Sequence, residues 1–140
     1  MELFVINWWM LGVGLVVSMV NGSLWYNPKT FFPAWWHVVG AGKENPGTEN
    51  MGMLWGFTML AALLKAYFIG VAMNAFAPVM GGFSFGTGLE VGFLLWFGAI
   101  VPSYLVNKLF AGHGFKVFAI EVGNHLVDFL ILGAVYGIWH

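Results

Sequence analysis

Residues 116–139 read KVFAIEVGNHLVDFLILGAVYGIW, and this stretch decides how the rest of the chain is interpreted. It is apolar enough and long enough to cross a membrane as one helix. It nevertheless carries Glu121, Asn124, His125 and Asp128, at positions i, i+3, i+4 and i+7. On a helix, this spacing places all four side chains on one polar stripe about two turns tall. Because ionisable groups at membrane depth are costly, the stripe predicts a protein interior that faces it and supplies partners.

The composition of the whole chain is that of a membrane protein. Of its 140 residues, 60% are hydrophobic and 8% are charged, whereas about a quarter of the residues in a soluble domain are charged. Five lysines and no arginine stand against six acidic residues, so the chain offers no basic surface for nucleic acid. The absence of cysteine excludes disulfides and cysteine-ligated metals. The N-terminal MELFVINWW lacks the positive region of a cleaved signal peptide, so we expect the first helix to be retained.

Apolar runs and helix breakers divide the chain into four predicted spans. The spans cover about residues 3–24, 52–77, 89–107 and 116–139, within a single transmembrane domain that covers residues 1–140. Pro78 ends the second span, and Pro102 predicts a kink in the third. The fold class that we expect is therefore all-α, an integral membrane four-helix bundle.

Two pairs of glycines stand four residues apart in the predicted spans. Gly88 pairs with Gly92, and Gly133 pairs with Gly137. Such small-xxx-small ridges let two helices approach closely. They serve either the fold of one chain or the contact between protomers, and the sequence leaves both interpretations open.

The lysines predict the orientation of the bundle. Lys29 and Lys43 lie in the loop after the first span, and Lys108 and Lys116 lie in the connection before the fourth. The remaining connection and both termini carry none, so the positive-inside rule places the lysine-bearing loops in the cytoplasm and both termini outside. The loop after the first span begins with aromatic residues and Pro33, which predicts a short segment lying in the membrane interface.

Lys65 is the main electrostatic problem of the sequence. It lies near the middle of the second span, and only Asp128 matches its depth when ~1.5 Å of rise is counted per residue. An unpaired charge at that depth costs about 3 kcal/mol on insertion scales, so we expect Lys65 and Asp128 to form an ion pair. The pair either fixes the helix register alone or belongs to a pathway for a solute or for protons. Proton transfer within the pair would also neutralise it.

Four more polar residues complete a predicted buried polar core. The core consists of Lys65, Asp128, Glu121, His125, Asn124 and Asn21. We expect His125 to bond to Asn21 or to a backbone carbonyl, with a role as a protonatable relay as the alternative. Glu121, His125 and Asp128 are of metal-ligand types, but one helix rarely supplies a whole site. We therefore expect no metal and no cofactor.

A second polar group is predicted toward the outside. Asn7, Asn74 and Glu90 fall at a similar depth, roughly 10–14 Å from the membrane midplane. They form either an interhelical hydrogen-bond cluster, which we prefer, or a vestibule open to the outside.

The end of the first span carries an interfacial motif, formed by Trp25, Tyr26, Pro28 and Trp36. Two amphipathic rings, Trp25 and Tyr26, are suited to anchor the helix end at the interface. Pro28 then stops the helix and favours an extended conformation at the residue before it.

Together with Gly22, Leu24 and Phe31, this motif resembles the Gly-x-Leu-Trp-Tyr-x-Pro pattern of the bacterial DUF1761 membrane proteins, where DUF stands for domain of unknown function. The similarity extends to the last span, IEVGNHLVDFLILGAVYGIW. The resemblance implies a four-span protein of the bacterial inner membrane, and it implies no activity.

Two functional hypotheses from different classes follow. The first is an integral membrane protein whose polar core binds or passes a small solute or protons, which predicts a hydrated cavity touching Lys65, His125 and Asp128. The alternative is an accessory or scaffolding subunit of a larger membrane complex, which predicts a dry interior and an apolar outer face covered by partners. The expected partners are the lipid bilayer and, in the alternative, further copies of the chain or other membrane subunits. An enzyme is not expected, because no serine is placed beside His125 with a base in a recognisable pattern.

Overall fold

The computed structural model of the protein describes residues 2–43 and 51–140. Within these ranges every regular element is helical, which confirms the predicted all-α class for that part of the chain. The α-helices are α1 (Trp9–Trp25), α2 (Phe32–Val39), α3 (Met51–Phe76), α4 (Phe85–Leu95), α5 (Val101–Phe110) and α6 (Gly114–Ile138). A 3-10 turn, Ala77–Val79, extends α3, and a π-helical turn, Trp96–Ile100, joins α4 to α5.

Three helical stretches are long and apolar enough to cross a membrane. They are Met51–Val79, Phe85–Phe110 and Gly114–Ile138, and they overlap the second, third and fourth predicted spans. The helix α1 is apolar too, but it has 17 residues. That number gives a length of roughly 25 Å, against a hydrocarbon thickness of about 30 Å.

The prediction that the first span begins near residue 3 is wrong. The helix begins at Trp9, and the preceding residues form turns and extended backbone. The side-chain amide of Asn74 donates to the carbonyl oxygens of Leu3 and Val5, at 3.0 and 2.9 Å. These carbonyls would accept bonds from residues four positions later in a continuous helix, so the amide of α3 replaces those helical bonds.

The glycine ridges bring α4 and α6 into backbone contact. A Cβ atom added at Gly88 would lie 2.0 Å from the carbonyl oxygen of Gly133. A Cβ atom added at Gly92 would lie 2.3 Å from the carbonyl oxygen of Phe129. The ridges therefore serve the fold of one chain, because only glycine lets these two helices approach so closely.

The apolar core lies where the end of α3, the start of α1 and the end of α6 meet. Met10, Ile69, Met73 and Leu132 are fully buried there. The first half of α3 differs, because residues 51–61 are all exposed. That half of the helix stands away from the core and leaves space beside α1 and α6.

The third span is irregular just before Pro102, the residue at which a kink is predicted. The ring nitrogen of proline cannot donate to the carbonyl of residue 98. The chain passes through the π-helical turn at this point, and the backbone N–H of Val101 donates to the carbonyl of Trp96, five residues earlier. Proline disturbs the regular hydrogen-bond ladder, and the wider turn absorbs the disturbance.

Candidate functional site

Lys65 of α3 and Asp128 of α6 form the ion pair that the depth argument predicts. The ammonium group of Lys65 donates to Oδ2 of Asp128. The Lys65 side chain is 16% exposed and the Asp128 side chain is 3% exposed, so the acid is the more deeply buried partner. The pair joins the second and fourth predicted spans, and each charge neutralises the other in a medium where an isolated charge is costly.

Asn21 ties α1 to the same position on α6. Its side-chain amide donates to Oδ1 of Asp128 at 2.9 Å and to Oδ1 of Asn124 at 2.7 Å. Asp128 therefore accepts bonds on both carboxylate oxygens, one from an ammonium and one from an amide. The structure brings four of the predicted core residues together here, from three helices.

Glu121 belongs to a second ion pair, one layer away along α6. Its Oε1 lies 3.0 Å from Nζ of Lys108, and its Oε2 accepts a bond of 2.8 Å from the indole of Trp35. The sequence predicts Lys108 in the connection between two spans and offers Glu121 no cation. Their similar depth near the same end of two adjacent spans is the signal that could have paired them.

His125 has a partner that the sequence argument missed. Its Nε2 lies 2.9 Å from the hydroxyl of Tyr104 on α5. The expected bond to Asn21 or to a backbone carbonyl is wrong, because His125 faces α5 while Asn21 is held by Asn124 and Asp128. The other ring nitrogen, Nδ1, is buried without a hydrogen-bond partner among the described residues.

Two cavities flank this polar stripe. The first, here named the Lys108 cavity, has a volume of about 570 Å³ and is lined by Lys108, Glu121, Trp35, Tyr104, Tyr26 and His125 among others. The second, the Lys65 cavity, has a volume of about 620 Å³ and is lined by Lys65, Asp128, Asn124, Ser18, Tyr26 and His125 among others. Both cavities share Tyr26 and His125, so these two side chains separate the space beside one ion pair from the space beside the other.

The interfacial motif divides between packing and the cavities. The indole of Trp25 donates to the carbonyl of Ile120 at 2.8 Å, and the ring covers Gly123 of α6. Trp25 thus packs between helices rather than serving only as an interfacial anchor. Pro28 is exposed at the turn after α1. Burial raises the pKa of Tyr26, and the nearby Glu121 carboxylate raises it further, so its phenol stays protonated.

Trp35, which is not part of the predicted interfacial motif, reaches the polar core. The Trp35 indole binds Glu121, whereas the Trp36 indole donates to the carbonyl of Lys43 at 2.8 Å, close by in the chain. Both residues belong to α2, the short aromatic helix that follows α1. Adjacent residues on a helix point about 100° apart, so only one of two neighbouring tryptophans can face α6.

The predicted outer cluster of Asn7, Asn74 and Glu90 does not assemble. Asn74 bonds to the backbone of the N-terminal segment and accepts a bond of 3.1 Å from the hydroxyl of Tyr136. Asn7 and Glu90 are exposed, and within residues 2–43 and 51–140 no hydrogen bond joins any two of the three. The three residues were predicted at the same depth. Asn7 lies before the start of α1 and Glu90 lies on the exposed face of α4, so neither meets Asn74.

Both carboxylates of the polar stripe bind lysine ammonium groups, where a metal site would have them bind a metal ion. Asp128 is bound to Lys65 and Glu121 to Lys108. Among the described residues no group of three histidine, aspartate or glutamate side chains lies close enough together to hold a metal.

One comparison with known proteins finds a match over nearly the whole chain. The family model described as "Protein of unknown function (DUF1761)" matches residues 9–137. The chain belongs to this family. The match confirms the resemblance that the motif after the first span carries, and in this DUF1761 protein it runs from the first residue of α1 almost to the end of α6. No curated protein and no solved structure matches the chain.

Proposed function

We propose that this protein is a non-enzymatic, integral membrane protein whose buried polar core binds or passes a small solute or protons. The observation that carries the proposal is the pair of cavities that meet at Tyr26 and His125. A purely structural ion pair would be expected in a closed, fully packed interior. Here Lys65, His125 and Asp128 all line one open space.

The polar groups form a graded path along α6. From Glu121 to Asp128 the helix rises roughly 10 Å, which is about a third of the hydrocarbon thickness. His125 lies between these two acids and lines both cavities. This order of carboxylate, imidazole and carboxylate is typical of residues that serve an ion or proton pathway in membrane proteins.

The proposed topology has four spans, with both lysine-bearing loops in the cytoplasm and both termini outside. Three helical stretches support it by length and composition, and α1 is the shorter fourth. Lys108 lines the first cavity, so the positive-inside rule places that cavity on the cytoplasmic side. The bacterial inner membrane is the proposed location, on the resemblance stated above.

The non-enzymatic assignment is supported by the hydrogen bonds of two cavity-lining hydroxyl groups and of the His125 imidazole. Ser103 and Thr58 each line a cavity, and each donates to the carbonyl one turn earlier in its own helix, at 2.7 Å. The imidazole of His125 is bonded to Tyr104 instead of a serine. A serine or threonine nucleophile activated by a histidine requires a hydrogen bond between the two side chains, and Ser103, Thr58 and His125 are each bonded to another group.

The test uses purified protein in lipid vesicles that contain a pH-sensitive dye. The proposal predicts either proton flux above that of empty vesicles or thermal stabilisation by members of a panel of small polar solutes. The double variant Lys65→Met/Asp128→Leu should lose the effect, while Lys116→Met should keep it, because Lys116 is exposed and outside both cavities. If the wild type shows no proton flux and no solute stabilises it, the proposal is wrong.

A second candidate is an accessory or scaffolding subunit of a membrane complex. The exposed first half of α3 favours it, since residues 51–61 form an apolar helix segment that nothing in the described chain covers. Gentle purification from the native membrane separates the two candidates. Stoichiometric copurifying subunits, or homo-oligomers whose contacts include this segment, would favour the scaffold.

A further inference from the structure

The Lys65 cavity has an apolar mouth and a polar end. Its described lining comes from α1 and the following Tyr26, from α3 and from α6, and neither α4 nor α5 contributes to it. The apolar part consists of side chains such as Met19, Leu54, Trp55 and Ala61. Since the first half of α3 stands away from the core, the cavity opens sideways between α1 and α3, toward the lipid in the proposed topology.

The polar end of this cavity holds donor protons for which the described residues supply no acceptor. The ammonium group of Lys65 has three protons, and the described residues supply one acceptor, Oδ2 of Asp128. The hydroxyl of Ser18 lines the same cavity, and its oxygen is buried without a hydrogen-bond partner among the described residues. Buried polar groups normally find partners, so these donors are available to an acceptor that enters the cavity.

Charge balance limits what that acceptor can be. Lys65 and Asp128 neutralise each other, and both oxygens of Asp128 already accept bonds. An anionic group placed beside Lys65 would also lie close to the Asp128 carboxylate, and the like charges would repel in this poorly screened site. An uncharged carbonyl oxygen satisfies the free donors without that penalty.

We propose that the Lys65 cavity binds a membrane-dissolved amphiphile that has a hydrocarbon chain and an uncharged carbonyl head group. The chain enters between α1 and α3 and lies along Leu54, Trp55 and Ala61, while the head group accepts bonds from Lys65 and Ser18. This inference rests on the proposed function, because it names the class of solute that reaches the polar core.

The experiment uses a fatty acid methyl ester that carries a photoactivatable diazirine in its chain, added to the reconstituted full-length protein. Any lipid-facing surface is labelled by such a probe, so the readout is the part of the labelling that excess unlabelled methyl ester removes. We expect this saturable labelling in peptides from residues 18–23 and 51–62, which line the cavity. Labelling of Val106 and Phe110, which are exposed on α5, should not saturate.

Two variants test the two ends of the cavity. Ala61→Phe fills the mouth at an exposed position, so it should abolish the saturable labelling without disturbing the fold. Ala75→Phe is its matched control, because Ala75 is exposed on the same helix and lines neither cavity. The double variant Lys65→Met/Asp128→Leu keeps the cavity but removes the head-group donor, and should weaken competition by the ester at least about tenfold.

The outcomes separate this inference from the function on which it rests. Saturable labelling that is lost in Ala61→Phe and retained in Ala75→Phe supports the amphiphile site. Labelling that never saturates, in vesicles where the wild type still moves protons or binds a polar solute, overturns the amphiphile and leaves the proposed function intact. The claim of an uncharged carbonyl head group is wrong if the ionised fatty acid competes more tightly than its ester. It is also wrong if an alkane without a head group competes as well as the ester.

Discussion

The two halves of α6 pack in opposite ways. From Phe129 to Gly137 the helix packs against α4 through glycines on both helices. At Gly88, Gly92 and Gly133, a carbonyl oxygen of the facing helix lies where a Cβ atom would otherwise stand. From Glu121 to Asp128 the same helix meets its neighbours through ion pairs and hydrogen bonds, and cavities remain beside it. One half is closed by backbone contact and the other is held open by polar contacts. The closed half, from Phe129 to Gly137, fixes the position of the helix, and under the proposed function the open half, from Glu121 to Asp128, receives the ligand.

The largest expected effect comes from opening the closed half. Gly88→Leu would drive a side chain into the carbonyl of Gly133, and a backbone atom cannot move aside as a side-chain tip can. We expect no folded protein to be recovered, because a clash with a backbone atom cannot relax as ordinary overpacking does, and circular dichroism and size-exclusion chromatography in detergent micelles check this. Gly56→Leu is the control, because nothing lies within 4 Å of that position. Equal stability of the two variants would show that the helix contact is looser than described.

The next effect comes from breaking the buried ion pair. Asp128→Leu leaves the Lys65 ammonium without its counter-charge, and should reduce the free energy of unfolding by about 3–5 kcal/mol. Adding Lys65→Met should restore most of it, since two apolar side chains of similar size need no partner. The same unfolding measurement gives the coupling between the two sites. Additive losses in the double variant would mean that the two charges do not interact.

A smaller effect is expected where α2 meets the open half. Trp35→Phe removes the indole donor from Glu121 and should cost about 1.5–3 kcal/mol, as expected for a hydrogen bond to a charged group. Trp36→Phe removes a donor from a carbonyl close by in the chain and should cost less. If the α2 segment is cleaved faster by protease in Trp35→Phe but not in Trp36→Phe, the bond from Trp35 to Glu121 holds α2 against α6. Similar losses in both variants would contradict the specific role of Trp35.

The smallest effect is expected at the boundary between the cavities. Tyr104→Phe removes one hydroxyl from His125 and should cost about 0.5–1.5 kcal/mol of unfolding free energy. A double-mutant cycle with His125→Leu isolates the bond between them. A coupling energy of zero would indicate that the two rings are neighbours without a hydrogen bond.

The sequence could predict the contacts that depth and charge determine uniquely. Lys65 had one acid at its own level, so the cost of an unpaired charge was enough to find Asp128. The glycine spacing likewise indicated a close helix contact, although its use within one chain needed the structure. Asn21 and Asn124 were assigned to the same buried polar core, and the structure joins them.

The sequence could not predict which face each residue presents. Asn7 and Glu90 share a depth with Asn74, but depth does not determine the rotation of a helix, and both face outward. Trp35 looked like a residue of the membrane interface, because an aromatic segment gives no sign of which ring turns inward. The non-helical start of the chain was missed because its apolar residues continue the pattern of α1, while the Asn74 amide that holds it lies some 70 positions later.

Thiol accessibility in the reconstituted protein tests the central claim most directly. The natural chain has no cysteine, so single replacements can be read without background. Ser103→Cys lies on the Lys108 cavity, which the proposed topology places on the cytoplasmic side, whereas Val106→Cys lies on the same helix but outside the cavity, at a position that is 57% exposed. We predict that a small water-soluble thiol reagent modifies Ser103→Cys much faster than the lipid-facing Val106→Cys. Equal protection of both would show that the polar core is closed to solutes, and would contradict the account.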